Sequence, residues 1–200
     1  MVQTLENAGL AELVLAHIEK HFHTQPKVWQ RTKDGELLPS QVLCFSDEPN
    51  PGNHTCVTFR LSTYVAQVGE NFRARIEFIM AAEGSSPPEP VVALLTALGN
   101  HLLRTHRLSS LHTVLPGDGP VFDNPEFQHL YLTTPRYHPE SLYRLEATEP
   151  FTYFVFVFPI TSRERSYIEQ HSPEAFERLV LAQGLNVLAL DQRPEIVIPI

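Results

Sequence analysis

Histidine has the widest chemical reach of any residue type in this chain, and ten occur among its 200 residues. His17 and His21 stand four apart, which on a helix puts both rings on one face, and His23 follows closely. Metal sites use that spacing, but no His-Glu-x-x-His is present and no third ligand is marked by position. The same projection places the pair among Leu10, Leu13 and Val14, on the core-facing side. We read them as packed or groove-facing rather than ligating.

A second place is "LHTVLPGDGPVFDN", residues 111–124, with His112, Asp118 and Asp123 around a turn. Paired carboxylates can do acid–base work. A phosphate loop would need Gly-x4-Gly-Lys-Ser/Thr, whereas this stretch has no lysine and Pro120 removes a backbone donor. Aspartate is favoured in turns for bonding to its own backbone, so turn chemistry is the reading here. No Gly-x-Ser-x-Gly frames a nucleophilic serine. His54 and Cys56 would share one strand face, which allows a thiol–imidazole contact. Cys44 and Cys56, the only two cysteines, are too few for a metal cage or a disulfide framework. Their apolar, strand-like surroundings mark them as core thiols. The enzyme that these residues would build is a metal- or His/Asp-dependent hydrolase, with His17, His21, His112 and Asp118 as its ingredients.

The elements that must position these groups follow from periodicity. Apolar residues at helical spacing predict a first helix over 5–23. Residues 27–46 read as strand, loop and strand, 47–53 as a loop of turn formers, and 54–64 as a β-branched and aromatic strand. Another strand is predicted over 73–82, a breaker over 83–90 and a well-buried helix over 91–107. A strand over 127–135 precedes "FTYFVFVFPI", 151–160, whose apolar side chains on both faces require cover on both sides. Two helices follow, one capped by Thr161 or Ser162, the other capped by Ser172 with Pro173 first and Gly184 last. The tail from 185 has strand character. Helices and strands do not alternate as βαβ units do. The fold class is therefore α+β, with a mixed, mostly antiparallel sheet flanked by helices in a single domain over 1–200.

A net charge of −8 argues against a nucleic-acid binder and can steer a basic protein partner. No apolar run approaches the ~18 residues that cross a bilayer. The first residues carry acids instead of the basic start of a secretory signal, which leads us to expect a cytoplasmic protein.

Four stretches, in order, resemble bacterial members of the Suppressor of Fused domain family. They are "LVLAHIEKHF" with "KVWQ"; "CVTFRLSTYV"; "ARIEFIMAA"; and "FVFVFPITSRERSYIEQHSPEAFERLVLAQG" closing on "ALDQRPE". In the last, Pro159, Thr161, Glu164, Asp191, Arg193 and Pro194 match the family pattern. Arg60 departs from it, because the family commonly has glycine there. The resemblance implies a non-enzymatic module, without cofactor or metal, that binds another protein or peptide. It further implies an immunity protein that neutralises a cognate toxin by occlusion. In animals the relative pins a short peptide as an added strand, a mode that leaves little motif in the binder. The matched motifs nominate Arg60, Ser62, Tyr64, Glu77 and Arg193 as partner contacts.

Overall fold

The computed structural model describes residues 2–33, 36–84, 88–117, 119–122, 124–190 and 193–198. In chain order the elements are α1 (Val2–Glu19), β1 (Lys27–Lys33), β2 (Glu36–Ser46), β3 (Asn53–Phe59), β4 (Ala66–Val68), β5 (Phe72–Glu83), α2 (Pro88–Thr105), β6 (Arg107–Leu108), β7 (Thr113–Leu115), β8 (Phe127–Thr133), β9 (Arg144–Leu145), β10 (Thr152–Thr161), α3 (Ser162–Gln170) and α4 (Pro173–Ala182). They form two compact units, Met1–Leu111 with Thr134–Phe156, and His112–Thr133 with Val157–Ile200.

In the first unit the strands lie in the order β1-β2-β3-β5-β10. Neighbours are antiparallel except that β10 runs parallel to β5, with Thr152 opposite Arg75 and Phe156 opposite Ile79. Helix α2 packs on β2, β3 and β5. Phe22, just beyond α1, stacks on Phe45. Val14, Ile18, Val42, Val57, Ile76, Phe78 and Phe154 are among the residues buried in the apolar core of this unit. In the second unit β10, β8 and β7 are neighbours, and β7 pairs antiparallel with β8. Tyr131, Phe158 and Phe176 pack edge-to-face and stacked at its centre. The class is α+β with a mixed, mostly antiparallel sheet, as the segment order predicts. Every residue of β10 is buried, which satisfies its two apolar faces.

The helix signals of the second unit hold in detail. Thr161 caps α3 in a reciprocal box with Glu164, and Ser172 Oγ accepts from Ala175 N–H to cap α4. Gly184, at φ 61°, turns the chain left-handed just past α4. Gly117 is fixed by a close approach, since a Cβ there would lie 2.1 Å from the Gln128 carbonyl oxygen.

Several expectations are corrected. Cys44 and Cys56 are not free thiols: they stand opposite each other on β2 and β3 and form a disulfide. The strand expected to reach residue 64 ends at Phe59, because Arg60 adopts φ 76° and turns the chain into a short 3-10 helix, Leu61–Thr63. Helix α1 stops at Glu19, and α2 starts at Pro88, whose missing N–H is harmless in a first turn. The expected loop after α2 contains the short strand β7. No strand forms in the tail among the described residues. There the Gln183 amide takes both backbone groups of Val197, at 2.9 and 2.7 Å, and Glu164 accepts from Ile196 N–H at 3.1 Å. Side chains thus satisfy backbone groups that a ladder would otherwise need.

Candidate partner-binding site

The nominated residues of the first unit converge on one turn. Glu77 sits mid-strand in β5 and is fully buried. Its carboxylate accepts from Thr58 Oγ1 at 2.6 Å, from Ser62 N–H at 2.9 Å and from Ser62 Oγ at 2.6 Å. Thr58 Oγ1 in turn accepts from Phe78 N–H at 2.7 Å. Burial pushes the Glu77 carboxyl up to about 7, against the pull of the Ser62 and Thr58 donors. Arg75, two residues earlier on β5, donates to the carbonyls of Ser62 at 2.8 Å and Thr63 at 3.2 Å. Its own pKa is lowered by burial. Two ionisable groups on one strand therefore grip the Arg60–Tyr64 turn from its donor side and its acceptor side.

That grip decides which nominated residues face outward. Ser62 and Glu77 are buried and occupied within the fold. Arg60 is exposed, with its guanidinium 5.7 Å from the centre of the Phe59 ring, and Tyr64 is 45% exposed. Arg193 belongs to the second unit, where it is buried. It meets Glu164 through two bonds, at 2.7 and 2.8 Å, and donates to the Pro159 carbonyl at 3.0 Å. A buried side chain meets a partner only after the fold opens, so Arg60 and Tyr64 are the two nominated residues that present contact surface.

Arg60 keeps the backbone geometry that a glycine at this turn would take. At φ 76° and ψ 0° its Cβ is strained by about 1 kcal/mol relative to glycine. Arg60→Gly is expected to raise the urea midpoint of the protein, by an amount worth about 0.5–1 kcal/mol, with an unchanged m-value. A lowered midpoint would show that the Arg60 side chain contributes more than its strain.

The histidines form local structure. His17 Nε2 donates to the Leu142 carbonyl at 3.2 Å, and His21 Nδ1 donates to the His17 carbonyl at 2.7 Å, which leaves His21 Nε2 to accept from Ser141 Oγ at 2.8 Å. Burial lowers the pKa of His17. His138 was not singled out in the sequence, yet it joins this group. Thr55 Oγ1 spends its hydrogen on the Glu48 carbonyl, so His138 Nε2 must donate to Thr55 Oγ1, at 3.2 Å. His138 Nδ1 is then a bare, buried nitrogen without a hydrogen-bonding neighbour among the described residues. Burial, with His21 nearby, pushes His138 down to about 4.

His112 lies in the second unit and pairs with Glu177 at 3.3 Å; Tyr131 and Thr133 donate to the same Glu177 oxygen. Asp118 and Asp123 lie outside the described residues. Of the hydrolase ingredients that are described, His17 and His21 lie in one unit and His112 in the other. Among the described residues no group of three or more His, Cys, Asp or Glu side chains is arranged to hold a metal ion. Two serine–histidine contacts occur among the described residues: Ser141 Oγ donates to His21 Nε2, whose ring is oriented only by the His17 carbonyl, and Ser162 Oγ meets His129 Nε2 at 3.1 Å with the wrong proton placement for a general base. Gly117 N–H donates to His129 Nδ1, so Nε2 carries the ring proton and points it at the serine.

Residues 37–193 match the family model described as Suppressor of fused protein (SUFU). The chain belongs to the suppressor of fused family. No curated protein matches it by sequence. Among solved structures it is similar to a SUFU homologue of Neisseria gonorrhoeae FA 1090, at 21% identity and a TM-score of 0.67, over 94% of this chain and 97% of that one. It is also similar to a structure of a Sufu–Fu complex, at 13% identity and a TM-score of 0.63, over 84% and 82% of the two chains. Drosophila Suppressor of Fused matches at 12% identity and a TM-score of 0.57, over 78% of this chain and 42% of the fly protein. The matched span of the suppressor of fused model covers both nominated ends of the chain, the Arg60–Tyr64 turn and Arg193.

Proposed function

We propose that this suppressor of fused protein is a non-enzymatic binding module for another protein, acting over its whole length, and that the Arg60–Tyr64 turn is its contact. The observation that carries the reading is the division of labour at that turn. Glu77 and Arg75 hold the backbone from inside, while Arg60 and Tyr64 project outside. Tyrosine and arginine supply a large share of binding energy at protein interfaces, and a turn already fixed loses little entropy on docking. A solved neighbour is itself a Sufu–Fu complex, which supports a protein as the class of partner. The acidic surface favours a basic partner, and blocking a toxin by occlusion is a role such a surface can fill. No described helix is long and apolar enough to cross a membrane. The Cys44–Cys56 disulfide bears on the cytoplasmic placement expected from the first residues, since thiols there are mostly kept reduced.

The immunity reading is tested by the product of the neighbouring coding sequence, expressed alone and together with this chain. Growth arrest alone, rescue together and loss of rescue with Arg60→Glu/Tyr64→Ala are expected. A neighbour that is harmless alone removes the toxin reading and leaves the binding reading standing.

A further inference from the structure

We propose that Cys44 and Cys56 are a modification site that is oxidised as the chain folds and is then sealed by α2 against thiol exchange. The register carries the first half. Cys44 lies directly opposite Cys56 on β2 and β3, with their Cα atoms 4.1 Å apart, and Cys56 lies opposite Met80 on β5. Residues abreast in a ladder share a face, so the three sulfur-bearing side chains form one row across the sheet. The β2–β3 register by itself sets the two thiols opposite each other. They are the only cysteines in the sequence, so there is no competing intramolecular pairing.

Packing carries the second half. Ser40, Val42 and Cys44 alternate onto one face of β2, and Ser40 lies close to Gly99 of α2, the helix that covers β2, β3 and β5. The opposite face is taken by Phe45, stacked on Phe22. Cys44 retains 7% of its surface and Cys56 1%, so both are buried, on strands that α2 packs against. A thiolate must reach a sulfur directly to exchange with a disulfide. In the folded protein α2 occupies that approach.

The chemistry balances with a disulfide-bearing oxidant, small molecule or protein. One cysteine thiolate attacks the oxidant and forms a mixed disulfide, releasing one reduced thiol. The second cysteine thiolate attacks the mixed disulfide, closing the Cys44–Cys56 bond and releasing the other. Two protons and two electrons pass from the cysteines to the oxidant, which leaves as two thiols. The redox state of the pair therefore records the environment in which the chain folded, and an oxidising compartment is where this protein matures.

The test uses the unaltered oxidised protein with dithiothreitol and a thiol-reactive mass tag, in native buffer and in denaturing urea. Tagging is expected to be at least ~100-fold slower in native buffer, because exchange waits for a local opening of α2. Native tagging within about 10-fold of the urea rate overturns the seal, since such a small protection needs no opening. Rapid acid quenching of source cells, then tagging, reads the state made in the cell. Protein that resists tagging until reduced supports the proposal, and protein tagged at both cysteines without reduction overturns it.

Discussion

Arg193→Met is expected to destabilise the second unit by about 3–5 kcal/mol, the range for stranding one partner of a buried ion pair. The guanidinium and the Glu164 carboxylate are both fully enclosed and meet through two parallel bonds. Glu164 has two other tasks: it accepts from Thr161 N–H at 2.9 Å, which completes the cap of α3, and from Ile196 N–H at 3.1 Å. Arg193 also lies over the Phe127 ring at 4.8 Å and holds the Pro159 carbonyl. One pair thus joins the end of β10, the start of α3 and the tail. Removing the arginine leaves a buried carboxylate without its cation, whereas the double variant Arg193→Met/Glu164→Leu removes both charges. The double variant is expected to recover much of the loss, short of the α3 cap, which contributes about 1 kcal/mol. Urea unfolding of the two variants checks this. A single variant that loses under about 1 kcal/mol would show that the pair is not what secures the tail.

The second large effect is a pair of opposed pH dependences within the first unit. His138 is lowered from 6.5 to about 4, so between those values the unfolded chain binds a proton that the folded chain refuses. Its contribution is complete above 6.5 and is lost as the pH falls toward 4. Glu77 is raised from 4.5 to about 7, so in that window the folded chain keeps a proton that the unfolded chain releases, and stability falls as the pH rises. Each group is worth about 3 kcal/mol over its full window, and between 4.5 and 6.5 the two slopes cancel. Glu77→Gln is expected to leave the histidine slope, with stability rising by about 2 kcal/mol across that interval. His138→Asn is expected to leave the carboxyl slope, with a fall of similar size. The difference between the variants removes the contributions of groups they share, such as His17 and His129. Parallel pH profiles for the two variants would contradict the assignment.

The sequence made the fold legible where local rules apply. Thr161, Ser172, Pro173 and Gly184 stand where capping chemistry needs them, and β10 announces its burial through side chains that are apolar on both faces. Contacts made at long separation were less legible. Arg193 and Glu164 appear in the sequence as matched positions 29 residues apart, but no periodicity says that they touch. The disulfide was within reach. Residues 44 and 56 are equidistant from residue 50, inside the turn-forming loop 47–53, so a hairpin centred there sets them opposite each other. The tail misled because its residues favour strands while its backbone partners, Gln183 and Glu164, are side chains. Four of the five nominated residues, Arg60, Ser62, Tyr64 and Glu77, meet at one turn, but inward and outward members could not be separated without the turn at Arg60. An arginine is not a residue that signals a left-handed conformation.

Arg60 and Tyr64 are proposed to present a surface on which a protein partner docks. The direct measurement is recovery of the tagged protein from its source cells, wild type beside Arg60→Glu/Tyr64→Ala, with thermal melts confirming that both are folded. The wild type is expected to bring down one protein in stoichiometric amount and the double variant to lose at least ~10-fold of it, since hot-spot residues at the centre of an interface dominate its affinity. Equal recovery by the variant, or no stoichiometric partner on the wild type, would contradict this docking.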